Sequence, residues 1–188
     1  MADALELLAE QHRQVTDLFQ QIGETAEPQQ RRAILDTIIT QLSQHAAIEE
    51  EVFYPAVAGR VDGGGGFITV SLEEHSKAKT QLHKLDELAP DDPLFDPSVG
   101  ELSHEVKVHV ADEETQLFPR VRVAFNAQEL AELGEQMATR MTAVPTRPHP
   151  KAPAKRPLNV AANRAAAKAD RARDSRRTTR RGSRRKQA

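Results

Sequence analysis

The 188-residue chain contains no cysteine and no tryptophan, and only 4% of its residues are aromatic. The absence of cysteine excludes a disulfide framework, an iron–sulfur cluster, a thiolate zinc site and a cysteine nucleophile. Any bound metal must therefore use histidine and carboxylate ligands. Runs of β-branched residues are scarce, whereas Ala, Leu, Glu, Gln and Arg are plentiful, and this composition predicts an all-α protein.

Long apolar runs are also missing. No stretch approaches the roughly 18 apolar residues that suggest a membrane-spanning helix. Asp3, Glu6 and Glu10 occupy the N-terminal region, where a secretory signal would begin with positive charge. We therefore expect a soluble, cytoplasmic protein that makes no membrane contact.

The net charge of -2 averages two different regions of the chain. Residues 1–141 hold 11 Lys and Arg against 26 Asp and Glu, whereas residues 142–188 hold 15 against 2. Five prolines interrupt the basic segment, which is otherwise rich in Ala and Arg and poor in apolar bulk. This pattern predicts an acidic helical domain over 1–141 and a disordered basic tail over 142–188.

Hydrophobic periodicity within the first region predicts four long helices in an up-down-up-down bundle, followed by a short fifth helix. Capping-box patterns and helix-initiating prolines mark where the helices begin. The predicted starts lie at Asp3 with Glu6, at Pro28, at Ser71 with Glu74, at Asp96 with Pro97, and at Asn126 with Glu129.

Polar residues interrupt the apolar seams of these helices in a repeated pattern. The segment 45–55 matches the segment 109–119, because each has His-x-x-x-Glu and ends in an aromatic residue followed by Pro. A further histidine precedes each segment, His12 in the first half and His75 in the second. Two copies of one helical hairpin would pack with pseudo-twofold symmetry and bring two equivalent half-sites together.

The spacing of these residues indicates a metal site. His45 and Glu49, four residues apart, project from one face of a helix and can reach one metal centre, and the same holds for His109 and Glu113. Imidazole and carboxylate ligands favour iron over zinc or manganese, and the two carboxylates are natural bridges between two ions. The alternative is a set of hydrogen-bonded structural histidines, but unpaired buried polar groups would cost about 1–3 kcal/mol each.

The order His, His-x-x-x-Glu, His, His-x-x-x-Glu resembles the hemerythrin HHE cation-binding domain over residues 1 to about 125. The Glu-x-x-His order of ferritin-like di-iron bundles does not occur at matching positions. The resemblance implies a pair of non-haem iron ions joined by an oxo or hydroxo bridge. It implies these protein ligands: His12, His45, Glu49, His75, His109 and Glu113, with the two glutamates bridging.

One residue departs from the pattern of the oxygen-carrying hemerythrins, which have a second histidine four residues after the first on the third helix. Here that position after His75 is Lys79. Fewer protein ligands leave more positions for water or peroxide, which favours redox reactivity over oxygen storage. Lys79 either faces solvent or places a cation near the centre.

Tyr54 is a further candidate. It lies about 140° around an ideal helix from Glu49, which favours packing in the core. A Pro-distorted turn would allow the alternative, a role as a ligand or as a hydrogen-bonding residue beside the ligands. Glu50, Glu51 and Glu114 are interpreted as solvent-facing.

Three functions remain open at this point. The first is a catalase-like reaction with hydrogen peroxide, or a reaction with oxygen, at the di-iron centre. The second is binding or sensing of oxygen, nitric oxide or iron without turnover. The third follows from the basic segment 146–188, which would bind nucleic acid without sequence preference, an acidic partner, or the chain's own acidic domain.

Overall fold

The computed structural model describes residues 2–155 and 158–185, and within these ranges it contains helices and connecting turns but no strand. Two of the long helices include a π-helical turn. The elements are α1 (Ala4–Glu24), α2 (Pro28–Ile48), π1 (Glu49–Phe53), α3 (Tyr54–Val57), α4 (Gly64–Glu87), α5 (Phe95–Asp112), π2 (Glu113–Leu117), α6 (Phe118–Ala124), α7 (Ala127–Met141) and α8 (Leu158–Arg185). The all-α prediction is confirmed.

Helices α1 and α7 begin where the sequence predicts. The Asp3 carboxylate accepts the backbone N–H of Glu6, and the Glu6 side chain accepts the backbone N–H of Asp3. Asn126 and Glu129 form the same reciprocal cap at α7. These bonds satisfy backbone donors that a helix end otherwise leaves unpaired.

The third bundle helix, α4, begins seven residues before the predicted start at Ser71. Gly63 adopts a left-handed conformation with φ +68° just ahead of the first turn, which glycine does without steric cost. A Cβ on Gly64 would lie 3.2 Å from the Val61 Cβ, so the close approach of this turn also suits glycine. The fourth helix, α5, begins at Phe95, just ahead of the predicted Asp96.

The two π turns continue α2 and α5 without a break. Each ends in an i→i+5 hydrogen bond: the Tyr54 N–H donates to the Glu49 carbonyl, and the Phe118 N–H donates to the Glu113 carbonyl. Pro follows directly in both cases, and a proline ring clashes with the carbonyl four residues before it. The π turn accommodates this clash while the helix continues.

Apolar side chains form two clusters that are separated by a polar layer. One cluster lies at the end of the bundle where α7 packs, and it includes Leu8, Phe53 and Phe118. The other cluster lies at the opposite end and includes Phe19 and Phe95. The predicted metal ligands belong to neither cluster and lie in the layer between them.

Disorder of the C-terminal segment stays a prediction, and the described residues of this segment contact the bundle. Residues 142–155 form turns against the bundle, and α8 runs along it. The Asn159 amide donates to the Glu50 carbonyl at 3.2 Å, and the Asn163 amide donates to the Glu51 carboxylate at 2.7 Å. Alanine and arginine favour helix, and these specific polar contacts substitute for the missing apolar bulk. Residues 156–157 and 186–188 of the predicted tail lie outside the described residues.

No helix in the described ranges is both long enough and apolar enough to span a bilayer.

Candidate metal centre

The six side chains that the sequence singles out converge in one layer of the bundle. All six are buried. Their donor atoms form two overlapping groups within 4.8 Å, one of His12, His45, Glu49 and Glu113 and one of Glu49, His75 and His109. The structure therefore brings the predicted set together, while its role as a ligand set stays a prediction.

The four Nε2 atoms point at the two carboxylates. His45 Nε2 and His75 Nε2 lie 3.1 and 3.3 Å from Glu49 Oε2. The corresponding distances to Glu113 Oε2 are 3.4 Å from His12 and 3.7 Å from His109. Glu49 and Glu113 thus each contact one histidine from the first half of the chain and one from the second. This arrangement suits a bridging position between two ions.

Several atoms of this layer are buried without a hydrogen-bond partner. They are His12 Nε2, both carboxylate oxygens of Glu49, and Glu113 Oε2. An unpaired buried polar atom costs about 1–3 kcal/mol, and more when it is charged. A cation among these atoms would satisfy all of them, so the residues present fit a bound metal.

The outer nitrogen of every candidate histidine is hydrogen-bonded to an oxygen acceptor. Each Nδ1–H therefore donates outward and leaves the Nε2 lone pair facing the centre, the arrangement that metal-binding histidines adopt. The pairs are His12 with Glu114 at 2.8 Å, His45 with Gln11 at 2.8 Å, His75 with Glu50 at 3.1 Å and His109 with Glu74 at 2.8 Å.

These outer partners follow the internal duplication. Glu50 and Glu114 occupy equivalent positions in the two halves, as do Gln11 and Glu74. Three partners are carboxylates, and Gln11 alone among the four is a neutral amide. The two half-sites are therefore similar in geometry and unequal in charge.

Burial shapes the protonation of the layer. Burial and the neighbouring His12 hold the pKa of His45 well below its usual range, and burial also lowers the pKa of His75. Burial and the adjacent Glu113 carboxylate raise the pKa of Glu49. For Glu113, burial acts upward, but the nearby imidazoles of His12 and His109 outweigh it and bring the pKa to about 2. The lowered pKa values of His45 and His75 favour the neutral imidazole that binds a metal. For His109, burial acts downward, but the hydrogen bond with Glu74 and the charge of Glu113 outweigh it and raise the pKa.

Tyr54 reaches the same layer, contrary to the angle on an ideal helix. The π turn places it on the face of Glu49, where its hydroxyl donates to Glu113 Oε1 at 2.9 Å and lies 3.4 Å from His75 Nε2. Burial and the nearby carboxylates raise the pKa of this phenol well above its usual range. The equivalent residue of the other half, Phe118, stacks on His12 with ring centroids 6.0 Å apart.

Three expectations for the surrounding residues need correction. Glu50 and Glu51 are buried rather than solvent-facing, because the Glu50 carboxylate binds His75 and Lys79 and the Glu51 carboxylate binds Asn163 of α8. Glu114 is exposed as expected, and its carboxylate binds His12. The Lys79 ammonium contacts both Glu50 oxygens, at 2.6 and 2.8 Å, so it neither faces solvent freely nor points at the centre. Glu51 is paired with Arg140 at 2.5 Å.

Fold and site together define an all-α bundle with a buried cluster of histidines and carboxylates suited to binding cations. Residues 3–141 match the hemerythrin HHE cation-binding domain, and the chain belongs to this family.

Relatives support the assignment. A crystal structure of an HHE cation-binding domain protein from Mycobacterium kansasii, a homolog of Rv2633c, superposes with a TM-score of 0.66 at 29% identity and covers 75% of this chain and 86% of that one. A hemerythrin-like protein of Schizosaccharomyces pombe is 24% identical over 78% of this chain and 72% of its own length. A protein named DNA nickase from Nostoc is 31% identical over 72% of this chain, and the match spans 37% of that relative.

Proposed function

We propose that the chain binds two iron ions in this layer and decomposes hydrogen peroxide there in a catalase-like reaction. The observation that carries the proposal is the set of buried, unpartnered atoms on His12, Glu49 and Glu113. These atoms lie in the same layer as the Nε2 atoms of the four histidines, whose Nδ1 atoms are hydrogen-bonded outward. Six protein ligands for two ions leave coordination positions for an exogenous molecule.

The reaction needs no outside reductant, because two molecules of hydrogen peroxide give two of water and one of dioxygen. Paired iron ions would supply the redox chemistry when bound. His12, His45, Glu49 and Glu113 would hold one ion, and His75 and His109 with the same carboxylates would hold the other. Tyr54 carries a proton at its hydroxyl, which lies within reach of both Glu113 and His75 and could orient or protonate a bound peroxide.

Aromatic side chains cover the carboxylate side of the layer and shield it from bulk water. Phe118 covers His12, and Tyr54 stacks against His75 with ring centroids 5.6 Å apart. Phe53 packs against the rings of Tyr54 and Phe118. This apolar cover excludes bulk water from the carboxylate side, which strengthens the electrostatic interactions within.

One experiment separates the candidate functions. Iron per chain is counted in the purified protein, the visible spectrum is recorded, and oxygen evolution is followed after peroxide is added. Two irons per chain with sustained oxygen evolution supports the proposal. Two irons with reversible binding of oxygen or nitric oxide and no turnover supports a carrier or sensor instead. Wild-type protein as free of metal as His45→Ala and His109→Ala would refute a metal centre.

A second function, nonspecific binding of nucleic acid, is favoured by how α8 distributes its charge. Asp170 is buried and accepts the backbone N–H groups of Thr146 and Arg147, and Asp174 faces Arg147. Of the two acidic residues of the segment 142–188, Asp170 is thus turned inward and Asp174 is paired with Arg147. Exposed positions on α8 are basic at Arg164, Lys168, Arg171 and Arg173, and the sequence 176–186 adds seven more Arg and Lys.

Phosphate binding by this surface would depend strongly on salt. Replacing Arg164 and Lys168 by Gln should weaken a DNA mobility shift and reduce its salt dependence, and deleting residues 146–188 should abolish the shift. Lys84→Gln with Lys107→Gln, on the bundle, is the matched control and should change nothing. A shift that survives the deletion would exclude this function.

A further inference from the structure

A cavity of about 280 Å³ lies on the side of the histidine layer away from the carboxylates. All four candidate histidines line it, whereas Glu49, Glu113 and Tyr54 do not. The imidazoles thus form one end of the cavity. Glu49 and Glu113 lie beyond these rings, so the cavity leads up to the layer where ions would sit.

Much of the remaining wall is apolar. Val15, Leu42 and Leu82 come from the core cluster that contains Phe19 and Phe95, and Ala46, Ala78 and Val106 lie beside them. The lining residues from α1 and α2 are buried or partly buried, and the exposed ones, Lys77, His104 and Val108, lie on α4 and α5. The cavity therefore opens to solvent between α4 and α5.

The charged residues of the lining balance. Lys77 and Lys79 supply two positive charges, and Glu74 and Glu105 supply two negative ones. Lys79 is already paired with Glu50, and Glu74 with His109. Such a lining offers no excess charge to an ion, so it favours a neutral occupant with an apolar body.

The volume exceeds what hydrogen peroxide needs. An apolar cavity of about 150 Å³ is large enough to bind benzene, and this one is nearly twice that size. We propose that the cavity is a binding site for a small neutral organic molecule with a hydrocarbon body and one hydroxyl or hydroperoxyl head, the head lying against the histidines. The proposal rests on the proposed function in that an organic hydroperoxide in this site would reach the centre that reacts with peroxide.

The probe is 2-phenyl-2-propanol, an unreactive alcohol with the shape of an aryl hydroperoxide. Calorimetric titration of the protein as purified should show one site with a dissociation constant of about 1 mM or tighter, as expected for a ligand of this size. Ala78→Phe and Val106→Phe, which fill the cavity from α4 and α5, should each weaken binding by at least about tenfold. Ser76→Phe places the same ring on the solvent side of α4 and should bind like wild type.

Metal content and helical circular dichroism are measured for each variant, and either wall variant alone suffices if the other fails to fold. No binding to the wild type, or equal binding by the wild type and a folded wall variant, would overturn the proposal. Its failure is distinguishable from failure of the peroxide function: a protein that evolves oxygen but binds no alcohol contradicts only the cavity site, and one that binds alcohol but holds no iron contradicts only the metal centre.

Discussion

The Tyr54 hydroxyl donates a hydrogen bond to the Glu113 carboxylate at 2.9 Å, although the two residues are 59 positions apart and belong to opposite halves of the duplicated sequence. The equivalent pair from the other half would join Phe118 to Glu49, and Phe118 has no hydroxyl. One half-site therefore has a proton donor beside its carboxylate and the other has a bare ring. This difference, like the neutral Gln11 among carboxylate partners, makes the two half-sites chemically unequal.

Replacing Tyr54 by Phe should slow peroxide decomposition while leaving iron bound. The substitution removes the hydroxyl that faces Glu113 and His75 but keeps the ring that fills the core. Loss of a positioned proton donor reduces a rate by roughly 100-fold or more. Iron per chain, oxygen evolution and the visible spectrum are measured on the same preparation.

Phe118→Tyr is the matched variant, because it adds a hydroxyl at the equivalent position of the other half. Combined with Tyr54→Phe, it tests whether the hydroxyl matters at either position or only at one. Full activity in Tyr54→Phe would contradict a role for the phenol in turnover.

The outer hydrogen bonds to the histidines should tune metal affinity. Glu74→Gln keeps a hydrogen-bond acceptor near His109 Nδ1 but removes the negative charge, which turns this pair into the neutral kind seen between Gln11 and His45. Loss of such a partner reduces metal affinity by about 10-fold to 100-fold. Competition with a chelator measures the affinity.

Glu73→Gln is the control for this test, since Glu73 is the exposed neighbour on the same helix. If Glu74→Gln and Glu73→Gln bind metal with equal affinity, the hydrogen bond between Glu74 and His109 does not tune metal affinity.

The duplicated pattern allowed much of the bundle and its site to be predicted. His45 with Glu49 and His109 with Glu113 share a helix face because α2 and α5 are regular up to each glutamate, so four-residue spacing places them correctly. The family and fold that this order indicates are confirmed.

The prediction failed where local geometry or distant contacts override periodicity. Tyr54 follows a π turn, so the angle of an ideal helix does not apply to it. Pro55, directly after Tyr54, is the residue in the sequence that indicates such a distortion of the helix. Glu50 looked solvent-facing because its pairing with His75 and Lys79 of another helix is not visible in the periodicity of its own helix. Glu51 looked solvent-facing because nothing in the bundle pattern reveals that Asn163, more than 100 residues away, would bind it.

Removing metal should destabilise the whole bundle, because the predicted ligands come from all four bundle helices. A ligand at 100 times its dissociation constant stabilises a protein by about 2.7 kcal/mol, and each kcal/mol shifts Tm by roughly 2–4 °C at this chain length, so chelation should lower Tm by about 5–10 °C. Scanning calorimetry before and after chelation measures the shift, and adding iron back should restore it. An unchanged Tm after complete iron removal would mean that the apo layer is already satisfied.

The docking of the C-terminal segment should depend on Asp86. This carboxylate, on α4, contacts Arg32 at 2.5 Å, Arg147 at 3.2 Å and Arg173 at 3.5 Å. Arg32 belongs to α2, whereas Arg147 and Arg173 belong to the C-terminal segment, so Asp86 links this segment to two bundle helices. Asp86→Asn should lower the free energy of unfolding by about 1–3 kcal/mol, since it removes the anion that Arg32 and Arg147 share and leaves them with Asp36 and Asp174 alone. It should also speed tryptic cleavage within α8. Asp17→Asn, at an exposed position on α1, is the control.

The effect of Asp86→Asn should vanish in acid. Burial acts to raise the pKa of Asp86, but Arg32 and Arg147 outweigh it and hold the pKa below its usual value. A carboxylate with a lowered pKa in the folded state contributes stability above its ordinary pKa and loses it as the pH falls through the folded value. The difference in unfolding free energy between wild type and Asp86→Asn should therefore be full near pH 6 and shrink below about pH 4. A difference that stays constant with pH would mean that the asparagine disturbs packing rather than charge.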